Sequence, residues 1–327
     1  MLKPSPDLNA SPAPEPDVPA VRVEGLGYRY PKHVALDGVT LSVPRGSLFA
    51  LLGPNGSGKT TLFRILSTAL QPGSGSASID GHDLEREPAA VRRRIGVVFQ
   101  APSLDGKLTV QENLRFHGLL FGLRGAALRD RAAEMLALFG LEERRRERVE
   151  TLSGGLKRRV ELAKCLLPGP PVLLLDEPSS GLDPAARREF WRVLERLRAE
   201  RELTVVVATH LMDEAEQCDR VALLDGGKLV VVDTPEALRR QVGGDVLTIE
   251  AAEPEALAEA VRNRLGLAAA AVDGRLRLET PDGLGAAAKL LEAFPERIRA
   301  LTLGRPTLED VFLARTGRRL DGGGEAS

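Results

Sequence analysis

Apolar residues fall into short runs separated by polar turns. Val21-Arg22-Val23 alternates as a half-buried strand does, and Thr40-Leu41-Ser42-Val43 repeats the pattern before Pro44-Arg45-Gly46 closes it. Residues 47–52, 95–99, 172–175 and 204–208 are apolar almost throughout at strand length, the pattern of strands covered on both faces. Residues 76–79 form a further short strand ending at Asp80-Gly81. Helical spacing runs from Lys59 to about Leu70, and again over 185–201 with Trp191, Leu194 and Leu197 on one face. Between 103 and 165 the spacing is helical with no obvious strand, which predicts an inserted helical subdomain. Within it, the charged run 142–148 reads as a solvated face or loop. Residues 221–224 and 228–232 read as a hairpin about Asp225-Gly226-Gly227.

After Gly243-Gly244 the pattern changes. Strand 246–250, helix 255–265, a hairpin of 268–272 and 275–279 about Asp273-Gly274, helix 284–294 and strand 298–303 follow in order. That β-α-β-β-α-β sequence predicts a ferredoxin-like α+β domain over 245–316, ending in a helix over 307–314. The main α/β domain is expected over 21–240. Residues 1–20 carry six prolines and should be a disordered tail, and 317–327 form a second tail, disordered from Asp321.

Composition narrows the picture a little. A length of 327 residues suits one large domain or two ordinary ones. The net charge of -1 supplies no global basic field, so nucleic acid is not an expected partner. No apolar run approaches the ~18 residues of a membrane span, and the N-terminus lacks the pattern of a signal peptide. Cys165 and Cys218 are expected to be reduced, buried and small rather than ligands.

The chemistry gathers on one loop. Gly53-Pro54-Asn55-Gly56-Ser57-Gly58-Lys59-Thr60 fits G-x-x-x-x-G-K-[ST] between a strand and the helix that Thr61 continues. Its glycines let amides wrap a phosphate at the positive end of a helix dipole, Lys59 adds a point charge, and the Thr60 hydroxyl can ligate Mg²⁺. Asp176 ends an apolar strand, the position of a second Mg²⁺ ligand, and Glu177 beside it is placed to orient or deprotonate water. Ser153-Gly154-Gly155 opens a helix and forms a second anion-binding device. Either a second anion binds there, or this surface completes the site of another copy. His210 ends a strand and can donate to a γ-phosphate, whereas His33, His82 and His117 read as surface or packing residues.

In order along the chain, these motifs resemble those of ATP-binding cassette (ABC) ATPases over about residues 21–235. They are the phosphate loop, Gln100, Leu152-Ser153-Gly154-Gly155, Asp176-Glu177, Ser180-Gly181-Leu182-Asp183 and His210. The resemblance implies an α/β phosphate-loop ATPase fold with an antiparallel β subdomain and a helical subdomain. It implies ATP and Mg²⁺ as ligands, with Thr60, Gln100 and Asp176 at the metal and Glu177 as base. Tyr30 stacks on adenine, with Tyr28 the weaker candidate because strand alternation should let only one face the base. Ser153 and its glycines reach the nucleotide of a second copy, Asp183 couples the two sites, and Gln100 senses a separate multi-span membrane permease. The location implied is the cytoplasmic side of the cell membrane, peripheral through that permease. Leu156 departs from the family, which often has Gln there.

The segment Pro306-Thr307-Leu308-Glu309-Asp310-Val311-Phe312-Leu313 and the helix residues Lys157-Arg158-Arg159-Val160-Glu161-Leu162-Ala163 are similar to ATPases of daunorubicin-resistance exporters. Relatives of that kind export drugs, lipids or polysaccharides. An importer motor, or an ABC-type ATPase acting on nucleic acid or ribosomes, is the alternative. The domain at 245–316 is expected to dimerise or regulate.

Overall fold

A computed structural model describes residues 18–320 apart from 102, 273 and 319. The Pro-rich segment to residue 17 and the tail from 321 lie outside the described residues. Two compact units divide between Val232 and Asp233.

The first unit opens with β1 (Val21–Tyr30) and β2 (His33–Val43), followed by β3 (Leu48–Leu52), α1 (Lys59–Leu66), β4 (Ser74–Ile79), β5 (His82–Asp83), α2 (Pro88–Arg94) and β6 (Ile95–Val98). Three helices come next, α3 (Val110–Leu120), α4 (Gly125–Leu138) and α5 (Gly154–Leu166). The unit closes with β7 (Val172–Asp176), α6 (Pro184–Arg201), β8 (Thr204–Thr209), α7 (Met212–Ala215), β9 (Arg220–Asp225) and β10 (Lys228–Asp233).

One sheet, ordered β2-β1-β4-β5, is antiparallel. The other runs β10-β9-β3-β8-β7-β6, with β9, β3, β8, β7 and β6 mutually parallel. Every residue of β3, β7 and β8 is buried, which is why those strands read as unbroken apolar runs. α1 joins the two sheets. Its Leu62, Phe63 and Ile65 share one core with Val21, Val23 and Ile79 on one side and Phe49, Leu174 and Val206 on the other. Burial of each such side chain contributes about 1.5–3 kcal/mol.

α1 stops at Leu66, short of the predicted Leu70, because the chain turns at Thr68 with φ +60°. The helical subdomain is present as expected. α3 begins with a capping box between Thr109 and Glu112 and packs on α4 and α5. The charged run 142–148 forms turns that are largely exposed. Trp191 is core, at 3% exposure. Cys165 and Cys218 are free and buried. Burial pushes the Cys165 thiol up to about 12 and raises that of Cys218 as well, and Cys165 Sγ donates to the Val97 carbonyl at 2.9 Å.

The second unit contains α8 (Pro235–Val242), β11 (Asp245–Ala251), α9 (Pro254–Leu265), β12 (Ala269–Val272), β13 (Arg275–Thr280), α10 (Gly283–Ala293), β14 (Ile298–Gly304) and α11 (Leu308–Thr316). Its antiparallel sheet is ordered β12-β13-β11-β14, the ferredoxin-like arrangement, over a core that includes Leu247, Ile249, Leu257, Leu276, Leu278 and Leu290. The division at Val232 and Asp233 groups α8 with the second unit. α8 packs against α11 of this unit, and Arg315 donates to Gln241 at 2.6 Å. The signal for α8 was a capping Thr234 before a first-turn Pro235.

Candidate active site

The loop leaving β3 is shaped by its glycines. Gly58 has φ +105° and caps α1, and a Cβ there would lie 2.4 Å from the Ala35 carbonyl oxygen. A Cβ on Gly53 would lie 2.2 Å from the Leu224 oxygen. Only residues without a side chain allow the loop to sit this close to β2 and β9. Lys59 is 4% exposed, and its ammonium donates to the Gly53 and Pro54 carbonyls at 2.6 and 2.9 Å. Two of its three donors are so used. Burial lowers its pKa, and the carboxylates of Glu177 and Asp176 oppose that shift. Ser57 Oγ is buried with no hydrogen-bond partner. The first N–H groups of α1 have no intrahelical acceptor. A buried, unpaired hydroxyl and the open amides of a helix start beside a cationic nitrogen fit a phosphate.

At the ends of β7 and β8 the acidic residues and the histidine meet. Asp176 is 1% exposed, and Thr60 Oγ1 donates to its Oδ1 at 3.5 Å. Burial pushes the Asp176 carboxyl up, against the hydrogen bond from Thr60. One hydroxyl and one carboxylate, both oxygen donors, suit Mg²⁺, which takes few protein ligands and fills its shell with phosphate and water. Among the described residues no group of three or more His, Cys, Asp or Glu could hold a metal ion.

Glu177 lies next in the chain, with φ +46°, a left-handed conformation that costs a residue with a Cβ about 1–2 kcal/mol. Its Oε2 accepts from Gln100 Nε2 at 3.2 Å, and its Oε1 lies 3.2 Å from His210 Nδ1. Three residues predicted separately thus form one hydrogen-bonded row. Glu177 is 13% exposed and His210 34%.

Ser153 caps α5, its hydroxyl accepting from the Leu156 amide at 3.4 Å. Asp183 caps α6 by accepting from the Ala185 and Ala186 amides at 2.9 Å each, and the Ala186 hydrogen bond leads in holding its carboxyl below the ordinary range. Ser153, Gly154, Gly155, Gly181 and Asp183 line one hollow of about 320 Å³. No hydrogen bond or ion pair among the described residues ties Ser153 or Asp183 to the Gly53–Thr60 loop, whereas Asp176 is tied to it through Thr60.

The tyrosine expectation needs correction in one respect. The rings of Tyr28 and Tyr30 meet edge to face at 4.9 Å, so they share a face, as positions two apart in a strand do. Tyr28 packs on the core, whereas Tyr30 stacks with His33 at 5.2 Å. Alternation therefore does not separate the two tyrosines.

Two buried residues of the site were missed in the sequence. Arg158, inside the basic run on α5, donates to main-chain carbonyls on both sides of the site. Its signal was the opposite charge of Glu161 three residues on. Glu214 of α7 is 1% exposed and accepts from the hydroxyls of Ser179 and Thr209, the second at 2.5 Å. Nothing in the sequence marked it.

A phosphate loop feeding α1, with its carboxylates at the end of β7 and a histidine at the end of β8, defines the class: an ATP-hydrolysing cassette. Sequence comparison narrows it further. A family model described as ABC transporter matches residues 36–180. The daunorubicin/doxorubicin resistance ATP-binding protein DrrA of Streptomyces peucetius is 38% identical over 312 residues, 92% of this chain and 94% of that protein. The Nod factor export ATP-binding protein I of Ralstonia nicotianae is 36% identical over 92% of this chain and 95% of that protein. Among solved structures, cbiO1 of Clostridium perfringens superposes with TM-score 0.63 at 30% identity, covering 76% of this chain and 96% of that one. The dimeric cassette MJ0796 in a post-hydrolysis state with ADP and Pi gives 0.59 at 32%, covering 65% and 98%. This chain belongs to the ABC transporter family, as an ATP-binding, ATP-hydrolysing subunit.

Proposed function

We propose that this chain is the motor of an exporter and that two copies close on two ATP at composite sites. The observation that carries the reading is the row Gln100–Glu177–His210 beside the Thr60–Asp176 pair. Lys59 and the amides of Gly56 to Thr61 hold the phosphates of ATP, and Tyr30 stacks on its adenine. Thr60, Asp176 and Gln100 would hold Mg²⁺, directly or through water, where its chemistry is to neutralise charge on the phosphate oxygens. Glu177 takes the proton of the attacking water as that oxygen bonds to the γ-phosphorus and the bond to the β–γ bridging oxygen breaks, releasing ADP. His210 orients Glu177 and donates to the γ-phosphate.

Ser153, Gly154 and Gly155 serve the nucleotide held by the second copy, with Asp183 at the junction of the two sites. Support comes from a second anion-binding helix start that lacks any bond to the phosphate loop of its own chain. The membrane step belongs to a separate multi-span permease. Among the described residues no helix is long and apolar enough to cross a membrane. The end of α3 exposes Phe116, Leu119, Leu120 and Phe121, an apolar face on the helical subdomain suited to such a partner. The chain then works at the cytoplasmic side of the membrane on a drug, lipid or polysaccharide-like cargo, and the drug resistance and export in the names of its relatives support outward movement. The second unit dimerises the motor or regulates it.

Replacing Glu177 with Gln tests the core of this reading. ATP binding should persist and turnover fall by about 10²–10⁴. Turnover at the parental rate would remove Glu177 from its role. The same variant with ATP should sediment as a dimer, and a monomer under saturating ATP would refute the composite site. Cargo movement in inside-out vesicles carrying the permease tests direction.

A further inference from the structure

The side chain of Arg158 is 10% exposed, and its guanidinium is spent on main chain. Nε donates to the Pro178 carbonyl at 2.7 Å. Nη2 donates to the Asp176 and Glu177 carbonyls at 3.4 and 3.3 Å. Nη1 donates to the Phe99 carbonyl at 3.1 Å and to Glu161 Oε2 at 2.7 Å. Four carbonyls from two separate segments therefore converge on one planar cation. The other oxygen of Glu161 accepts from the Ser103 amide at 2.8 Å. Lys164 donates to the Ser103 carbonyl and hydroxyl, each at 2.6 Å. Arg158, Glu161 and Lys164 are three residues apart and share one face of α5.

The carbonyls in question flank the reacting groups. Phe99 precedes Gln100, and Ser103 lies in the same connection between β6 and α3. Asp176 and Pro178 flank Glu177, the one active-site residue other than glycine held in a left-handed conformation among the described residues, at φ +46°. A strained residue keeps its geometry only where its surroundings over-determine it. Arg158 supplies that restraint, since the peptide groups before and after Glu177 both accept from it. Because Phe99 accepts from the same guanidinium, Gln100 and Glu177 are held in register with each other, in agreement with their 3.2 Å hydrogen bond.

We infer that Arg158 is a positioning residue for hydrolysis: from the helix that begins with Ser153 it fixes both the Glu177 carboxylate and the loop of Gln100, with Glu161 and Lys164 anchoring that loop again at Ser103. The consequence is that α5 cannot shift without carrying the Glu177 backbone and the Gln100 loop together. A lysine would not do the same work. Its ammonium is a point charge with three donors and cannot span acceptors spread across a guanidinium plane.

This inference rests on the reading of Glu177 as the base, and the test separates the two. ATPase rates and ATP affinity would be measured for full-length Arg158→Lys, Glu161→Gln and Glu177→Gln. For R158K, kcat should fall by about ten- to a hundredfold, the scale of a misplaced catalytic group, while the Kd for ATP stays within about twofold. Glu161→Gln should lower kcat by a smaller factor, also at unchanged Kd, because one of its two acceptor oxygens becomes an amide. It carries the test if R158K does not fold. Parental kcat in both variants, or a loss of kcat matched by an equal loss of affinity, overturns the proposal and leaves Arg158 a packing residue. Parental turnover in E177Q overturns the reading of Glu177 and this inference with it. Lost turnover in E177Q beside parental kcat in R158K overturns this inference alone.

Discussion

Glu214→Ala is a demanding test of how the site is held. Glu214, Ser179 and Thr209 are each 1% exposed. Ser179 Oγ donates to one carboxylate oxygen and Thr209 Oγ1 donates to the other at 2.5 Å. Thr209 Oγ1 also accepts from the Leu211 amide at 3.0 Å, so its own proton is committed to Glu214. Alanine leaves two buried hydroxyls without an acceptor, at about 1–3 kcal/mol each. The vacated volume adds about 1–2 kcal/mol. Against this, several kcal/mol of carboxylate desolvation are no longer incurred. A net loss of about 2–4 kcal/mol remains, which lowers the melting temperature of a unit this size by about 5–15 °C. Ser179 follows Pro178 and Thr209 precedes His210, so kcat should fall as well. Glu214→Gln keeps one acceptor and should lose about half as much. Scanning calorimetry with a parallel ATPase assay reads both effects. A melting temperature within about 1 °C of the parent would show that the hydroxyls find other acceptors and that Glu214 does not link the two strand ends.

Two further outcomes are expected. Burial, helped by the nearby Lys164 charge, lowers the His117 pKa from 6.5 to about 4. The unfolded chain thus binds a proton that the folded one refuses, and stability is lost as pH falls through 6.5 toward 4, by about 2 kcal/mol between pH 7 and 5. His117→Gln should flatten that slope in urea titrations at the two pH values, and parallel slopes would refute the assignment. In the second unit, Asp310 completes the capping box of Thr307 and pairs with Arg277, their side chains 9% and 11% exposed. Asp310→Ala breaks a buried pair, at about 3–5 kcal/mol, and should render residues beyond the Gly243-Gly244 break sensitive to limited proteolysis. Unchanged digestion would count against the pair as a support of that unit.

Much of the fold was legible because burial writes itself into the residues. β3, β7 and β8 are covered on both faces, so no polar position interrupts them. The second unit showed its topology through a change of period from two to 3.6 and back. The site was legible wherever chemistry restricts residue type: a loop that must lack side chains, or a carboxylate at a strand end. Legibility failed where tertiary context decides. Lys157, Arg158 and Arg159 look alike in sequence, yet helical rotation turns Arg158 inward, to 8% exposure. The φ of Glu177 is imposed by its neighbours, and no local preference announces it. Thr68 ended α1 before Gln71-Pro72-Gly73 could. Tyr28 and Tyr30 were misjudged by an argument from alternation that, applied at a spacing of two, places them on the same side.

The buried cysteines have a practical consequence. A thiol pushed up to about 12 is ionised in only about one molecule in ten thousand at pH 8, and only the thiolate reacts. Cys218 is shielded in the same way. A maleimide or alkylating dye added to the folded chain should therefore pass over both native sulfurs. A single cysteine placed at an exposed position such as Leu120 or Leu284 would become the one labelled point, and distances between two such points could be followed through an ATP cycle without first removing any native residue.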